Sequence, residues 1–220
     1  EVIASSLKTI PALTGEIFLE EERELSVVYE GIIRAIAIGK VNSGEITSYL
    51  FSKKAIKKDD PSIIQQYLNN HINFGMIRRI EVTNKKRFVY KLISPLARIF
   101  YYADEKYNIT EKSDEKELVA IIQEVLPKII EDMVREHIAQ KEGLRETIIE
   151  AKDYDIDGYL MKFQEPAIVL EVKWKRKLKK EDIKKAEENL NKINAKKKIL
   201  FVPDKKGIKT TLDVLDVDDL

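Results

Sequence analysis

Apolar residues recur at helical spacing over residues 25–39, with Val28, Ile32 and Ile36 on one stripe and Gly39 placed to close the helix. Asn42-Ser43-Gly44-Glu45 then reads as a capping box, Asn as N-cap and Glu three residues on, opening a short helix to Phe51. Asp60-Pro61 is a second start signal, because the missing N–H of proline is harmless at the first helical position. The helix predicted there buries Ile64, Leu68 and Ile72, stops near Phe74-Gly75, and turns Gln65, Gln66, Asn69 and Asn70 outward. The period then changes to two. Residues 76–82 and 87–93 read as strands around the polar tip Thr83-Asn84-Lys85-Lys86, with Phe88, Tyr90 and Leu92 on one face. Ser94-Pro95 opens a further helix carrying Leu96, Ile99 and Phe100.

Three helices followed by a hairpin with a basic tip predict an N-terminal winged helix-turn-helix over residues 22–104. Its third helix would present Gln65, Gln66, Asn69 and Asn70 to a DNA major groove, with Lys85, Lys86 and Arg87 near phosphates. Such modules also serve as protein-interaction surfaces, and this stretch is not strongly basic, so both uses stay open. Gly39-Lys40 lacks the frame of a phosphate-binding loop. The sequon Asn108-Ile109-Thr110 is read as chance.

Residues 105–117 form a polar stretch without an apolar stripe and are the expected linker, leaving residues 118–220 as a second domain. Ile122, Val125, Ile129 and Met133 restore the helical period; Pro127 predicts a kink or two helices, the second over residues 128–140. After Gly143 the pattern turns to strands at 145–151, 158–163 and 166–174. A helix follows at 180–193 with Ile183, Ala186, Leu190 and Ile193 on one side, then strands at 198–202 and 212–217. The order is αβββαβ, and the chain as a whole is expected to be a two-domain α+β or α/β protein.

Composition narrows the chemistry. The 220 residues are 44% hydrophobic and 35% charged, enough apolar surface for packed cores, with no apolar run approaching the ~18–20 residues that span a bilayer. There is no signal-peptide pattern at the start and no membrane partner is expected. Cys is absent, and the only histidines are His71 and His137, so thiolate chemistry and histidine-rich metal sites are excluded. A Lys-, Glu- and Ile-rich chain without Cys has the composition of a thermophile's cytoplasmic protein. It opens on Glu1 rather than Met, as expected of a fragment or of a processed chain.

The net charge of +1 hides a strong asymmetry. Residues 171–209 hold 15 Lys or Arg against 6 Asp or Glu, and residues 210–220 hold four Asp and no base. A local +9 is the footprint of a phosphate-binding surface, with Lys175, Arg176, Lys177, Lys179 and Lys180 as its candidate contacts. A solvated Lys-rich helix has the same composition, so charge alone does not decide.

Chemistry-bearing residues sit on the strands. Asp157 enters the second strand of this domain, and Glu171-Val172-Lys173 ends the third. Alternate side chains share a face, so Glu171 and Lys173 point together while Leu170, Val172 and Trp174 point to the other side. Charges placed on so apolar a strand are costly unless paired or metal-bound. Two carboxylates can hold Mg²⁺ (or Mn²⁺), which keeps several waters and bridges to phosphate. Lys173 can orient the attacking water and offset charge on the phosphate, and the Val172 carbonyl would be a further ligand.

Asp157 followed by Glu171-x-Lys173 on an αβββαβ frame resembles the PD-(D/E)XK (restriction-endonuclease-like) nuclease superfamily. The acid on the preceding helix that this resemblance implies is Glu131. The stretches 32–46 and 90–102, with Ile130-Glu131, Asp155-Ile156-Asp157 and Glu171-Val172-Lys173-Trp174, together resemble the C-terminal region of a family of archaeal P-loop ATPases, in which a winged helix precedes a PD-(D/E)XK-like domain. The resemblance covers nearly the whole chain. No Walker segment is present, so ATP hydrolysis is not expected of this chain, and residues 1–21 would connect to an absent ATPase domain.

Two functions follow. The first is a Mg²⁺-dependent DNA nuclease with Asp157, Glu171, Lys173 and Glu131 in its site, Asp157 and Glu171 as metal ligands, and double-stranded DNA as partner. The second is a catalytically silent DNA-binding or partner-binding accessory region, with an ATPase domain or a second copy of the chain as partner. Intact Asp157, Glu171 and Lys173 favour the first.

Overall fold

The computed structural model describes residues 23–109, 115–175 and 177–220, in which six α-helices and seven β-strands make a mixed α/β chain. These residues divide into two units. One comprises the described residues up to Ile80 together with Arg87–Val125, the other Glu81–Lys86 and Leu126–Leu220. Segment 1–21 and Arg176 lie outside the described residues, as does part of the expected linker, residues 110–114.

The first unit runs α1 (Arg23–Ala37), α2 (Ser43–Ser52), α3 (Gln65–Asn73), β1 (Ile77–Val82), β2 (Arg87–Leu92) and α4 (Pro95–Tyr107). The capping box opens α2 as its sequence requires: the Glu45 N–H donates to Asn42 Oδ1 at 3.0 Å and the Asn42 N–H to Glu45 Oε2 at 3.4 Å. Ile32, Ile36, Ile46, Leu50, Ile64 and Leu68 form the core between the helices. A Cβ on Gly31 would lie 2.5 Å from Leu50 Cδ2, so α1 and α2 approach closely there. β1 and β2 are neighbours in a hairpin, and the Tyr90 N–H donates to the Val41 carbonyl at 2.7 Å.

Three local expectations change in this unit. Asp60-Pro61 opens a turn rather than a helix, because Asp60 Oδ1 takes the N–H of Ser62 at 2.9 Å and holds an Asx turn. The helix proper starts at Gln65, with Ile72 only partly buried and His71 fully buried instead. In β2 the alternation of Phe88, Tyr90 and Leu92 breaks down: Val89, Tyr90 and Lys91 are all buried, and Phe88 is exposed beneath the Arg79 guanidinium, 4.8 Å from its ring. Leu96 on α4 is also exposed, while Ile99 and Phe100 are buried.

Helix α5 (Glu115–Lys141) is continuous through Pro127, not two pieces, and the units meet within it, between Val125 and Leu126. The carbonyl that loses its helical partner at Pro127 is that of Gln123, an exposed residue whose carbonyl water can satisfy. Its apolar stripe in the second unit passes through Val134 and Ile138, and Met133 faces solvent.

The second unit is built on β3 (Arg145–Ile148), β4 (Gly158–Lys162), β5 (Glu165–Val172), β6 (Lys197–Phe201) and β7 (Asp213–Leu215), with α6 (Lys180–Asn191) crossing over between β5 and β6. β3 pairs antiparallel with β4 and β4 with β5, whereas β5, β6 and β7 run parallel. Glu81 and Val82, at the end of β1, pair in parallel with Thr147 and Ile148, which draws residues 81–86 into this unit. Two cores cover the sheet. Leu160, Leu170, Val172 and Phe201 pack with Val134 and Ile138 of α5, and Val169, Leu200 and Val202 pack with Ala186 and Leu190 of α6. Even positions at the end of β5 therefore face α5 and odd positions face α6. No helix among the described residues is long and apolar enough to cross a membrane.

Candidate active site

Asp157 sits one residue before β4, where the chain is held by both neighbours. Its N–H donates to the Leu170 carbonyl at 3.1 Å, and its Oδ2 accepts the Val172 N–H at 2.8 Å. In extended backbone the N–H and C=O of one residue point to the same side, so the Val172 carbonyl also faces the β4 side, towards Asp157. Glu171, on the odd-numbered face of β5, is buried with 5% of its surface exposed. Its Oε1 accepts a hydrogen bond from Lys173 Nζ, the same-face pair that strand alternation requires. Glu171 Oε2 is buried without a hydrogen-bond partner.

The electrostatics follow from this crowding. Burial raises the Asp157 carboxyl above its ordinary range and the Glu171 charge raises it further, against the Val172 N–H and Lys173, which favour the anion. Burial likewise raises Glu171, outweighing the hydrogen bond from Lys173 that holds it down. Burial works against the Lys173 ammonium, yet the hydrogen bond to Glu171 and the charges of Glu171, Asp157 and Glu131 leave it raised and cationic. Glu131 is raised by burial and then by Asp157, and is paired with Lys128 one turn earlier on α5. Three acids and two lysines thus act on one another, with Asp155 a further source of negative charge on Glu171.

Sequence reasoning missed the supports of this cluster. Arg135, 3% exposed, donates from Nη1 to the Asp157 carbonyl at 2.7 Å and is itself held by Asp132 and Glu146, each at 2.5 Å. Buried Asn189 of α6 donates from Nδ2 to the Asp155 carbonyl at 2.9 Å. Gly158 is needed for close approach: a Cβ there would lie 2.6 Å from Leu170 Cγ and 3.2 Å from Arg135 Cγ. The signal available was the i,i+3 spacing of Asp132 and Arg135 on an otherwise apolar helix face.

The expected nucleic-acid contacts are distributed as follows. Gln65, Gln66 and Asn69 are exposed on α3, but Asn70 is half-buried and donates to the Tyr29 hydroxyl at 2.6 Å. Lys85 is paired with Glu150 at 2.5 Å, while Lys86 and Arg87 are exposed. Lys175 is paired with Asp182 at 2.8 Å. Lys177, Lys179 and Lys180 are exposed, the Lys179 backbone N–H bonding Asp182 at the start of α6.

Among the described residues, no group of three or more His, Asp or Glu is arranged to hold a metal ion. The donor set at hand is smaller: Asp157, Glu171 with its unpartnered oxygen, and the Val172 carbonyl. That set fits a hard cation such as Mg²⁺, which takes one or two carboxylates and retains several waters. Comparison with family models, curated proteins and solved structures returned no match.

Proposed function

We propose that the second unit is a divalent-metal-dependent nuclease module of the PD-(D/E)XK type, and that the first unit is a winged helix that binds nucleic acid, most simply double-stranded DNA. The observation that carries this reading is Glu171: a buried carboxylate with one oxygen on Lys173 and the other without a partner, beside a second buried carboxylate, Asp157. An unsatisfied buried anion costs stability, and a bound cation offsets that cost. The order of three helices and a hairpin, with the Tyr90–Val41 backbone contact, supports the winged-helix reading of the first unit.

In this reading Asp157 and Glu171 would hold Mg²⁺ or Mn²⁺, with the Val172 carbonyl as a further donor. Such an ion would neutralise phosphate charge and make its bound water more acidic. Lys173, a cation on the same face as Glu171, positions the attacking water and donates to a phosphate oxygen as charge accumulates there. The water oxygen bonds to phosphorus and gives up a proton to solvent as the bond to the leaving oxygen breaks, and the leaving alkoxide takes one proton back from solvent, so the proton count balances. Glu131, tied to Lys128, tunes the charge of Asp157 from the edge of the site. The test is nicking of supercoiled plasmid by the chain with Mg²⁺ or Mn²⁺ against the same reaction in EDTA.

One observation favours the second reading, a catalytically silent accessory region of an ATPase. Lys128 on Glu131 and Lys173 on Glu171 already offset two of the three acids from within the chain. No nicking together with no binding of Mn²⁺ would decide for it.

A further inference from the structure

A cavity of about 680 Å³ opens in the second unit beyond the C-terminal ends of the parallel strands β5 and β6, beside the first turns of α6. That volume lies within the ~300–1,000 Å³ range of small-ligand sites and accommodates one nucleotide. Leu178, Ile183 and Ile208 form an apolar wall and are packed against the α6-side core, so this wall is set by the fold rather than by solvent-exposed loops alone.

The rest of the lining is dominated by lysines. Among the described residues, Lys180, Lys206 and Lys209 line it without an ion pair, whereas Lys175 and Lys184 are engaged by Asp182 and Glu188. The two acids of the lining are turned to donors of the chain itself. Glu187 Oε1 takes the Thr211 N–H at 2.9 Å and the hydroxyls of Thr210 and Thr211, and Asp204 Oδ1 takes the Lys206 N–H at 2.9 Å. The net field of the cavity is therefore cationic beside an apolar wall, which suits a phosphate attached to a flat organic group.

We propose that this cavity binds the terminal nucleotide of a nucleic-acid strand through a phosphate monoester. A monoester carries about −1.5 to −2 at neutral pH against −1 for each internal diester, so concentrated unpaired ammonium groups select the strand end. The cavity lies on the α6 side of the sheet, the side that Glu171 and Lys173 face. On the nuclease reading, on which this inference rests, it delivers a strand end to the carboxylates.

The test is fluorescence anisotropy of the full chain in EDTA with labelled single-stranded oligonucleotides that differ only in a terminal phosphate or hydroxyl. The expected result is at least tenfold tighter binding of a phosphorylated strand, with 5′ and 3′ phosphates assayed separately to assign the end. Lys206→Glu/Lys209→Glu should abolish the preference, and the charge-matched control Lys57→Glu/Lys58→Glu, at exposed positions outside the cavity, should retain it. Equal binding of phosphate and hydroxyl ends, or a preference that survives the double charge reversal, would overturn the inference. So would competition by a free nucleoside monophosphate at micromolar concentration without any end preference, which would identify a free-nucleotide site. Because the assay contains no divalent metal, its outcome is independent of plasmid nicking and of Mn²⁺ binding: end preference with neither of these leaves the cavity assigned and decides against the nuclease reading.

Discussion

Arg135 reaches from α5 to the backbone of Asp157, its Nη1 donating to the Asp157 carbonyl at 2.7 Å while Asp132 and Glu146 hold the rest of the guanidinium. From the other side of the sheet, Asn189 holds the carbonyl of Asp155. The short stretch that carries the site's first carboxylate is thus pinned by one helix on each face. Loops without such anchors fluctuate, and a metal-binding carboxylate must be held within a fraction of an ångström.

Arg135→Met should therefore be one of the most destabilising substitutions in the second unit. It leaves buried Asp132 and half-buried Glu146 without the cation they face, at a cost of about 3–5 kcal/mol. Urea denaturation followed by circular dichroism measures it, and Arg135→Met/Glu146→Gln should recover part of the loss. A change below about 1 kcal/mol would mean that the network is solvated and carries little.

Glu171 and Lys173 should separate metal binding from cutting. Glu171→Ala is expected to lose Mn²⁺ binding by calorimetry and to lower nicking by about 100-fold or more, the scale on which transition-state charge stabilisation acts. Lys173→Met should bind Mn²⁺ within a few-fold of the parent and still fail to cut. Glu131→Ala should reduce cutting less than either. Undiminished nicking by Glu171→Ala would remove Glu171 from the site.

Binding to duplex DNA should weaken steeply with salt, because exposed lysines displace condensed counterions. The slope of log K against log salt is expected near −0.9 for each phosphate neutralised. Lys177→Ala/Lys179→Ala/Lys180→Ala, removing three exposed charges at the start of α6, should flatten the slope by about 2–3 on the same scale. A wild-type affinity that is flat in salt would falsify phosphate-dominated binding.

His71 sets an acid limit on the first unit. It is fully buried, its Nε2 donates to the Tyr29 carbonyl at 3.0 Å, and burial pushes its pKa down to about 4 despite that hydrogen bond. The unfolded chain takes up the proton near 6.5, so stability is complete above that pH and falls as the pH drops towards about 4. The expected loss is about 3 kcal/mol, from roughly 1.4 kcal/mol per pH unit. Comparing urea midpoints of the parent and His71→Gln at pH 7 and pH 4.5 isolates the effect from the carboxylates; parallel losses in both proteins would exclude His71.

Much of this molecule is legible in the order of its residues. The helical stripes of α1 and α6, the capping box at Asn42, the polar hairpin tip and the strand at β5 are local patterns, and local physics is enough to produce them. The same holds for Glu171 and Lys173, because alternation along one strand places them together whatever surrounds it. What depended on the third dimension is different in kind. Asp60-Pro61 became a turn through a side-chain contact, and Pro127 was absorbed into one long helix because its lost hydrogen bond falls at exposed Gln123. β2 was buried on both sides at Val89–Lys91, which its own alternation did not announce. Above all, the shifts of Asp157 and Glu171, the grip of Arg135 and Asn189 on the backbone around Asp157, and the lysine-lined cavity beyond β6 arise from elements far apart in the chain. Burial and charge are properties of what is packed around a group, and sequence periodicity carries only the part of that information that repeats along one element.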